Sequence, residues 1–511
     1  MSEQIVNNKR IAKNTLMLYV RMLLSVVVSL YTSRVVLEVL GVEDYGLYGL
    51  VGGVVAMLSF LNSTMASATS RFLTFEMGRC DNSRVKATFS SALIIHIGIA
   101  LLVLILAETV GLWFLNNKLV IPEGRMHAAH WVFQFSVLGL IVAFTQVPYN
   151  AAIIAHEKMN VYAYVELLHV FLKLGVVYLL TIGNFDKLIL YAFLVLVVNV
   201  LIAFIYRFYC VRYYEETKFE YIYDKHLISS MFSFSAWEFF AHLGYTVRTQ
   251  GVNIVLNMFF GVVINAVTNI ATTVQSTLNN FTSNVLIAIK PQIIKRYASE
   301  QINGMIKLIL SGVKYNVLIQ LMITLPTIFC IDLILKLWLK NPPDDCAEFC
   351  RIMLCSNLIS AISTIIYSGI QATGHIKSTS LFRSTLYIAT PIVTYTIFQY
   401  TDYKPIIAYI VILASQFILA NFEIVIFKRL INSFDIKALF VLIIKIICVI
   451  SVVVIVNCLI MKTQCNQYIK SIILICTTEV ILVSMFFCFI FNGTEKKYIM
   501  DILYKIIKKA N

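Results

Sequence analysis

A chain of 511 residues that is 59% hydrophobic and only 13% charged, with a mean hydropathy of +0.82, is no soluble domain. No polar stretch is long enough for a separate soluble domain, and no G-x-x-x-x-G-K-[ST] motif occurs, which excludes transport driven by ATP bound to this chain. The net charge of +14 does not read as nucleic-acid binding, because the basic residues cluster in alternate loops, the topology signal of a membrane protein.

Taken in chain order, about fourteen segments approach the ~20 apolar residues a spanning helix needs. They are predicted at 12–38, 46–72, 87–115, 128–154, 160–183, 188–211, 227–257, 262–289, 308–337, 349–373, 379–401, 405–428, 440–461 and 469–492. The expected fold class is an all-α integral membrane protein. Lys and Arg favour the side of the N-terminus by roughly three to one, which puts both termini in the cytoplasm. The first apolar run is too long for a cleavable signal peptide and is read as the first span. The tail, 493–511, has the pattern of a basic amphipathic helix or of a frayed end. The eleven cysteines are scattered, mostly within spans. Cys346 and Cys465 are expected on the outer side, and sequence leaves a disulfide between them undecided.

Three sequence echoes recur at an offset near 220. Gly41 follows VVLEVL and Gly261 follows VLNMFF. AAIIAHEK ends at Lys158, and IQATGHIK ends at Lys377. SLYTSR ends at Arg34, and LGYTVR ends at Arg248 after a register change. They predict two pseudo-symmetric six-helix lobes, residues 1–215 and 226–430, related about an axis along the membrane normal. A terminal helix pair, 440–492, lies outside the repeat.

Ionisable residues inside the spans mark a polar path, because a charge at membrane depth costs a few kcal/mol or more. The first span carries Arg21, with Arg34 and Glu38 toward its far end. Arg34 and Glu38 are one turn apart and can pair. A guanidinium suits a phosphate, since its fixed donors match paired oxygens. The second span is rich in small residues, among them Gly49, Gly52 and Gly53, which reads as close helix packing. The fifth span has Glu166, His169 and Lys173 on one face, either a salt-bridged stripe or a proton relay. The seventh holds Glu238 and His242 four residues apart, either an ion-linked pair or a packing pair, and Arg248 beyond them. In the eighth span Asn265, Asn269, Thr272, Ser276, Asn279, Asn280 and Ser283 recur at three- and four-residue spacing, one helix face. Such a stripe faces a cavity or other helices. The number of amides favours a cavity wall suited to a sugar. The expected ion-coupling residues are therefore Glu238, His242, Glu166 and Lys173. No carboxylate pair, metal cluster or nucleophile with a base suggests an enzyme, and no cofactor is expected.

The opening KNTLMLYVRMLLSVVVSLYTSRVVLEVLGVEDYGLYGLVGG, with QVPYNAAIIAHEKMNVYAYVELLHVFLKL at 146–174, resembles bacterial polysaccharide exporters of the O-antigen flippase type. These belong to the multidrug/oligosaccharidyl-lipid/polysaccharide exporter superfamily. The resemblance implies a two-lobed bundle of twelve to fourteen helices in the bacterial inner membrane. It implies alternating-access flipping of an undecaprenyl-diphosphate-linked oligosaccharide, with a cation-coupled multidrug exporter as the alternative. Related lipid II flippases carry cations on the first helix of each lobe, facing a central cavity. Arg21, Arg34 and Arg248 occupy comparable positions, which makes them, with Asn265, Asn269, Ser276 and Asn280, the expected substrate-binding set. Those relatives use their last two helices as a lipid-tail groove. The expected partners are the lipid-linked oligosaccharide, the phospholipid bilayer and the polysaccharide polymerase and chain-length machinery, with the chain itself a monomer.

Overall fold

The computed structural model describes residues 2–56, 60–117, 121, 124–180, 185–220, 224–339, 343–401, 403–462, 466–493, 495–497 and 500. Every regular element among them is helical. The first is α1 (Ser2–Ala56), kinked at Gly41, followed by α2 (Phe60–Gly78). Then come α3 (Asn82–Leu106), continued through a π-turn into α4 (Leu112–Asn117), α5 (Met126–Ala155), α6 (Met159–Leu179) and α7 (Lys187–Tyr213). The rest are α8 (Lys225–Phe260), α9 (Val262–Ala298), α10 (Ile302–Leu339), α11 (Cys346–Thr373), α12 (Lys377–Tyr400), α13 (Ile407–Leu430), α14 (Ile436–Met461) and α15 (Gln467–Met485). Nine helices among the described residues are long and apolar enough to cross a membrane. Their outward faces carry Leu, Ile, Val and Phe, such as Leu101, Ile105, Phe204 and Ile455, as lipid requires.

The internal repeat is written in the backbone. Eight described residues have positive φ, and they fall into four pairs. Gly41 pairs with Gly261, Cys80 with Glu300, Gly124 with Asp345, and Glu157 with Gly374, at offsets of 220, 220, 221 and 217. At Gly41 the torsions are φ 79°, ψ 168°, and at Gly261 φ 78°, ψ −173°. That region is open essentially to glycine alone. Both glycines therefore bend the chain where the first helix of a half passes into the second. Helix starts follow the same offset: Asn82 and Ile302, Met126 and Cys346, Lys187 and Ile407. One expected echo does not fit. Arg34 lies seven residues before Gly41, Arg248 thirteen before Gly261. Each helix runs unbroken to its glycine, so nothing absorbs the six-residue difference, and the two arginines are not equivalent positions.

Two compact units emerge: Arg10–Phe239, and Phe240–Asn511 with Met1–Lys9. In the first, α5 is central and packs against α2, α3 and α7. Its inner seam is Phe89, Tyr149, Ile153, Ile202 and Tyr206. One end is tied by Arg125, which donates to both Asp44 and Asp186. In the second unit α11 is central, against α9, α10 and α13. Phe349, Met353, Ile331 and Tyr409 fill its seam.

The terminal pair belongs to this second unit. Helix α15 packs on α10, and Asn457 Nδ2 donates to Thr478 Oγ1 at 2.7 Å between α14 and α15. Beyond it Glu495 accepts from Lys314 Nζ at 3.0 Å and from Ser311 Oγ at 3.0 Å. Most of the predicted amphipathic tail, 493–511, and Cys465 lie outside the described residues. Cys346 is buried, with a free thiol one turn from Cys350.

Candidate functional site

In the N-terminal unit the polar groups gather along α6. The Arg21 guanidinium of α1 lies 5.1 Å from the Tyr162 ring centre, a cation–π distance. One turn on, Glu166 Oε1 accepts from Tyr206 Oη of α7 at 3.1 Å. His169 Nε2 lies 3.1 Å from Asn199 Oδ1 of α7. Of the stripe expected to bond between helices, Glu166 and His169 do reach α7, through a phenol and an amide. Glu166 and Lys173 are two turns apart, roughly 10 Å along the axis, beyond ion-pair reach. Lys173 instead borders two cavities of about 420 and 510 Å³. The small residues of the second span also differ from expectation. A Cβ on Gly49 or Gly52 would meet nothing within 4 Å, and each borders a cavity. They open space instead of drawing helices together.

In the C-terminal unit Arg248 of α8 is 8% exposed. Its guanidinium carbon is 4.1 Å from the Tyr387 ring centre on α12 and 5.1 Å from that of Tyr245. Its Nε and Nη1 are buried with no hydrogen-bond partner, and no carboxylate pairs with it among the described residues. The aromatic rings offset part of the desolvation, but a buried cation of this kind ordinarily requires a counter-charge.

Helix α9 presents a polar face. Asn269, Thr273, Ser276, Asn280 and Ser283, spaced by fours and threes, are all exposed. The hydroxyls are satisfied within the helix: Thr273 donates to Asn269 O, Ser276 to Thr273 O, and Ser283 to Asn280 O. The amides of Asn269 and Asn280 make no hydrogen bond among the described residues, so they remain available. The opposite face, with Val267, Ala271 and Val285, is buried. Interhelical bonding comes from residues the sequence did not single out. Gln275 Nε2 donates to Met353 O and Asn357 Nδ2 to Gln275 O, each at 3.2 Å, locking α9 to α11.

Glu238 is buried at 4% exposure, whereas His242 on the next turn of α8 is exposed. The two share a helix but not an environment. Glu38 is exposed. The side chains of Arg34 and Asn265 lie outside the described set.

Sequence reading missed the deepest ion pair. Arg383 of α12 donates to Glu423 of α13, and Glu423 is fully buried. The Arg383 guanidinium lies 3.8 Å from the Tyr367 ring centre. The available signal was one charged residue in each of two adjacent apolar spans. No cluster of three or more His, Cys, Asp or Glu among the described residues could hold a metal.

The sequence matches no protein-family model and no curated protein. The fold is similar to that of solved transporters. A multidrug resistance MATE family transporter of the MOP superfamily, in an outward-facing conformation, superposes with a TM-score of 0.72 at 13% identity over 84% of this chain and 97% of its own. A MATE protein in a bent conformation gives 0.74 at 12% identity, over 84% and 96%. A MOP superfamily transporter from Pyrococcus furiosus, described as having a binding pocket of reverse polarity that suggests a different function, gives 0.72 at 11% identity, over 84% and 96%. The chain therefore has the MATE-like fold of a multi-pass membrane protein.

Proposed function

We propose that this protein is a flippase. It moves an undecaprenyl-diphosphate-linked oligosaccharide from the inner to the outer leaflet of the bacterial cytoplasmic membrane by alternating access. The observation that carries the reading is Arg248: a buried guanidinium against two tyrosine rings, with two N–H groups unbonded and no carboxylate paired with it among the described residues. Such a group is completed by an anionic ligand. A diphosphate supplies paired oxygens that match the fork of donors, and each charge-assisted contact contributes on the order of 1.5–3 kcal/mol. The exposed amides of α9 suit the hydroxyl-rich sugars. The polyprenyl tail stays in lipid, where the exposed apolar side chains of the other helices already lie. Glu166 and Glu238 are assigned to the coupling ion.

The competing reading is a cation-coupled multidrug exporter, which the likeness to a multidrug resistance transporter and the buried Glu238 favour. Complementation separates the two. In a flippase-deficient strain that makes the matching glycan, the protein should restore surface polysaccharide. Arg248→Ala should abolish that at unchanged membrane abundance, and Arg248→Lys should restore only part, because the bidentate geometry is lost. Raised drug tolerance without surface polysaccharide would establish the exporter instead.

A further inference from the structure

The two cavities of the N-terminal unit meet at a single pair of residues. Lys173 and Tyr48 line both the 420 Å³ and the 510 Å³ space. The ammonium of Lys173 makes no hydrogen bond or ion pair among the described residues. The carboxylate on its own helix, Glu166, is two turns away and held by Tyr206. The neighbouring imidazole, His169, is held by Asn199. No Asp or Glu lines either cavity. The first cavity adds hydroxyls and rings, Ser29 and Thr32 from α1 and Tyr48 packed edge-on against Tyr191 at 4.8 Å, while the second is walled mostly by aliphatic side chains such as Val55, Leu140 and Leu196, with Ser136 and Asn199 as its neutral polar groups.

This is a site with one positive charge, neutral polar groups, ring faces and no anion. A lysine at membrane depth whose nearest carboxylate, Glu166, is two turns away and bonded to Tyr206 is poorly compensated, and here the space beside it is open. Each cavity is of the size that holds an organic molecule rather than a bare ion. We propose that this site binds one hexuronate: its carboxylate on Lys173, its hydroxyls on the Ser29 side and on Asn199, its C–H face on the tyrosine rings. The hexuronate is either a free acidic sugar or one residue of a glycan chain. The chemistry is common to both, and the glycoside arm of the test separates them. The site lies wholly in the N-terminal unit and uses neither Arg248 nor α9, so it can fail while the flippase reading stands, and the reverse.

The test is calorimetric titration of the full-length protein in detergent micelles with glucuronate, methyl glucuronide, glucose and chloride. Saturable glucuronate binding is expected, with glucose and chloride at least about tenfold weaker, the factor that the loss of one charge-assisted hydrogen bond produces. Lys173→Met should weaken glucuronate by a similar factor, and Lys173→Arg should keep most of it. Gly49→Leu fills the space without touching the charge, and since a Cβ there meets nothing the variant should fold and bind nothing. Methyl glucuronide binding as tightly as the free acid identifies a glycan residue; its rejection identifies a free sugar acid. No glucuronate binding, undiminished binding by Lys173→Met, or chloride binding that survives Gly49→Leu would each overturn the proposal.

Discussion

In the N-terminal half α6 meets α7 through Tyr206 and Glu166. In the C-terminal half α12 meets α13 through Arg383 and Glu423. Glu166 and Arg383 are 217 positions apart, as are Tyr206 and Glu423, the offset that also separates Glu157 from Gly374. One backbone thus carries a carboxylate bonded to a phenol in one half and a buried ion pair in the other. The neighbourhoods differ in the same sense. Lys173 faces open cavities. At the same 217-residue offset stands Thr390, buried and donating to Leu386 O of its own helix. Glycines on α8 let α12 come close: a Cβ on Gly244 would fall 2.7 Å from Ser384 Cα, and one on Gly251 3.0 Å from Pro391. At the 220 offset α1 has the larger Leu24 and Tyr31, both exposed, and Tyr31 meets α6 through its hydroxyl, 3.3 Å from Tyr178 Oη. The comparison teaches that duplication fixed the bends and the helix order, while side-chain size and charge closed the α8–α12 contact and left space open beside Lys173 of α6.

The largest expected effect breaks the buried pair of the C-terminal half. Arg383→Met leaves Glu423 buried without its partner, which should cost about 3–5 kcal/mol. Replacing both, with Glu423→Leu, should return the protein to within ~1–2 kcal/mol of the original, since a well-packed apolar pair can substitute for a buried ion pair. In the N-terminal half Glu166→Gln keeps a hydrogen bond to Tyr206 and should cost only about 1 kcal/mol. Thermal or denaturant unfolding in detergent measures all three. Equal losses from Arg383→Met and Glu166→Gln would remove the distinction between the halves.

A smaller effect tests packing alone. Gly244→Leu forces a side chain against the backbone of Ser384, and overpacking of this kind costs about 1–3 kcal/mol. Gly49→Leu, beside a cavity of the other half, should fall within ~0.5 kcal/mol of no change, because the space is empty. The same unfolding experiment decides it. A loss from Gly49→Leu as large as that from Gly244→Leu would mean that the N-terminal half is as tightly packed as its counterpart.

Much of the fold was legible in the sequence, and the reasons are physical. Membrane-length apolar runs report helices directly, and the predicted spans overlap the helices, although α1 begins at Ser2 instead of 12 and α9 runs on to Ala298 instead of 289. Gly41 and Gly261 were legible because only glycine accepts their torsions. The α9 stripe was legible because a helical period of polar residues cannot face lipid. What the sequence concealed depends on distances between helices. Nothing local distinguishes Lys173, which faces a cavity, from an ion-paired lysine at the same spacing. Nor do Arg383 and Glu423, forty residues apart, announce that they meet. The small residues at Gly49 and Gly52 misled for the same reason, since a missing side chain admits either a neighbouring helix or empty space.

The smallest effect concerns an end of the N-terminal half that has no counterpart. His156 Nε2 is hydrogen-bonded to Glu216 Oε1 at 2.5 Å, and the imidazole stacks on Tyr214 at 3.8 Å between ring centres. His375, the histidine of the matching segment IQATGHIK, has no carboxylate partner among the described residues. Burial pushes the Glu216 carboxyl up, but the hydrogen bond from His156 and a backbone amide outweigh it, and the net shift is below the ordinary value of 4.5. A carboxyl lowered by folding adds stability above its unfolded value and loses that contribution as pH falls through the lowered one. The N-terminal half should therefore weaken as pH drops below about 4.5, by about 0.5–1 kcal/mol, the worth of a partly exposed pair. Glu216→Gln should show the weaker midpoint already at neutral pH and lose that part of the acid dependence. His375→Gln, in the half without the latch, should leave the acid limb of the unfolding curve where it was. If His375→Gln flattens that limb as much as Glu216→Gln does, the acid sensitivity does not belong to the N-terminal half.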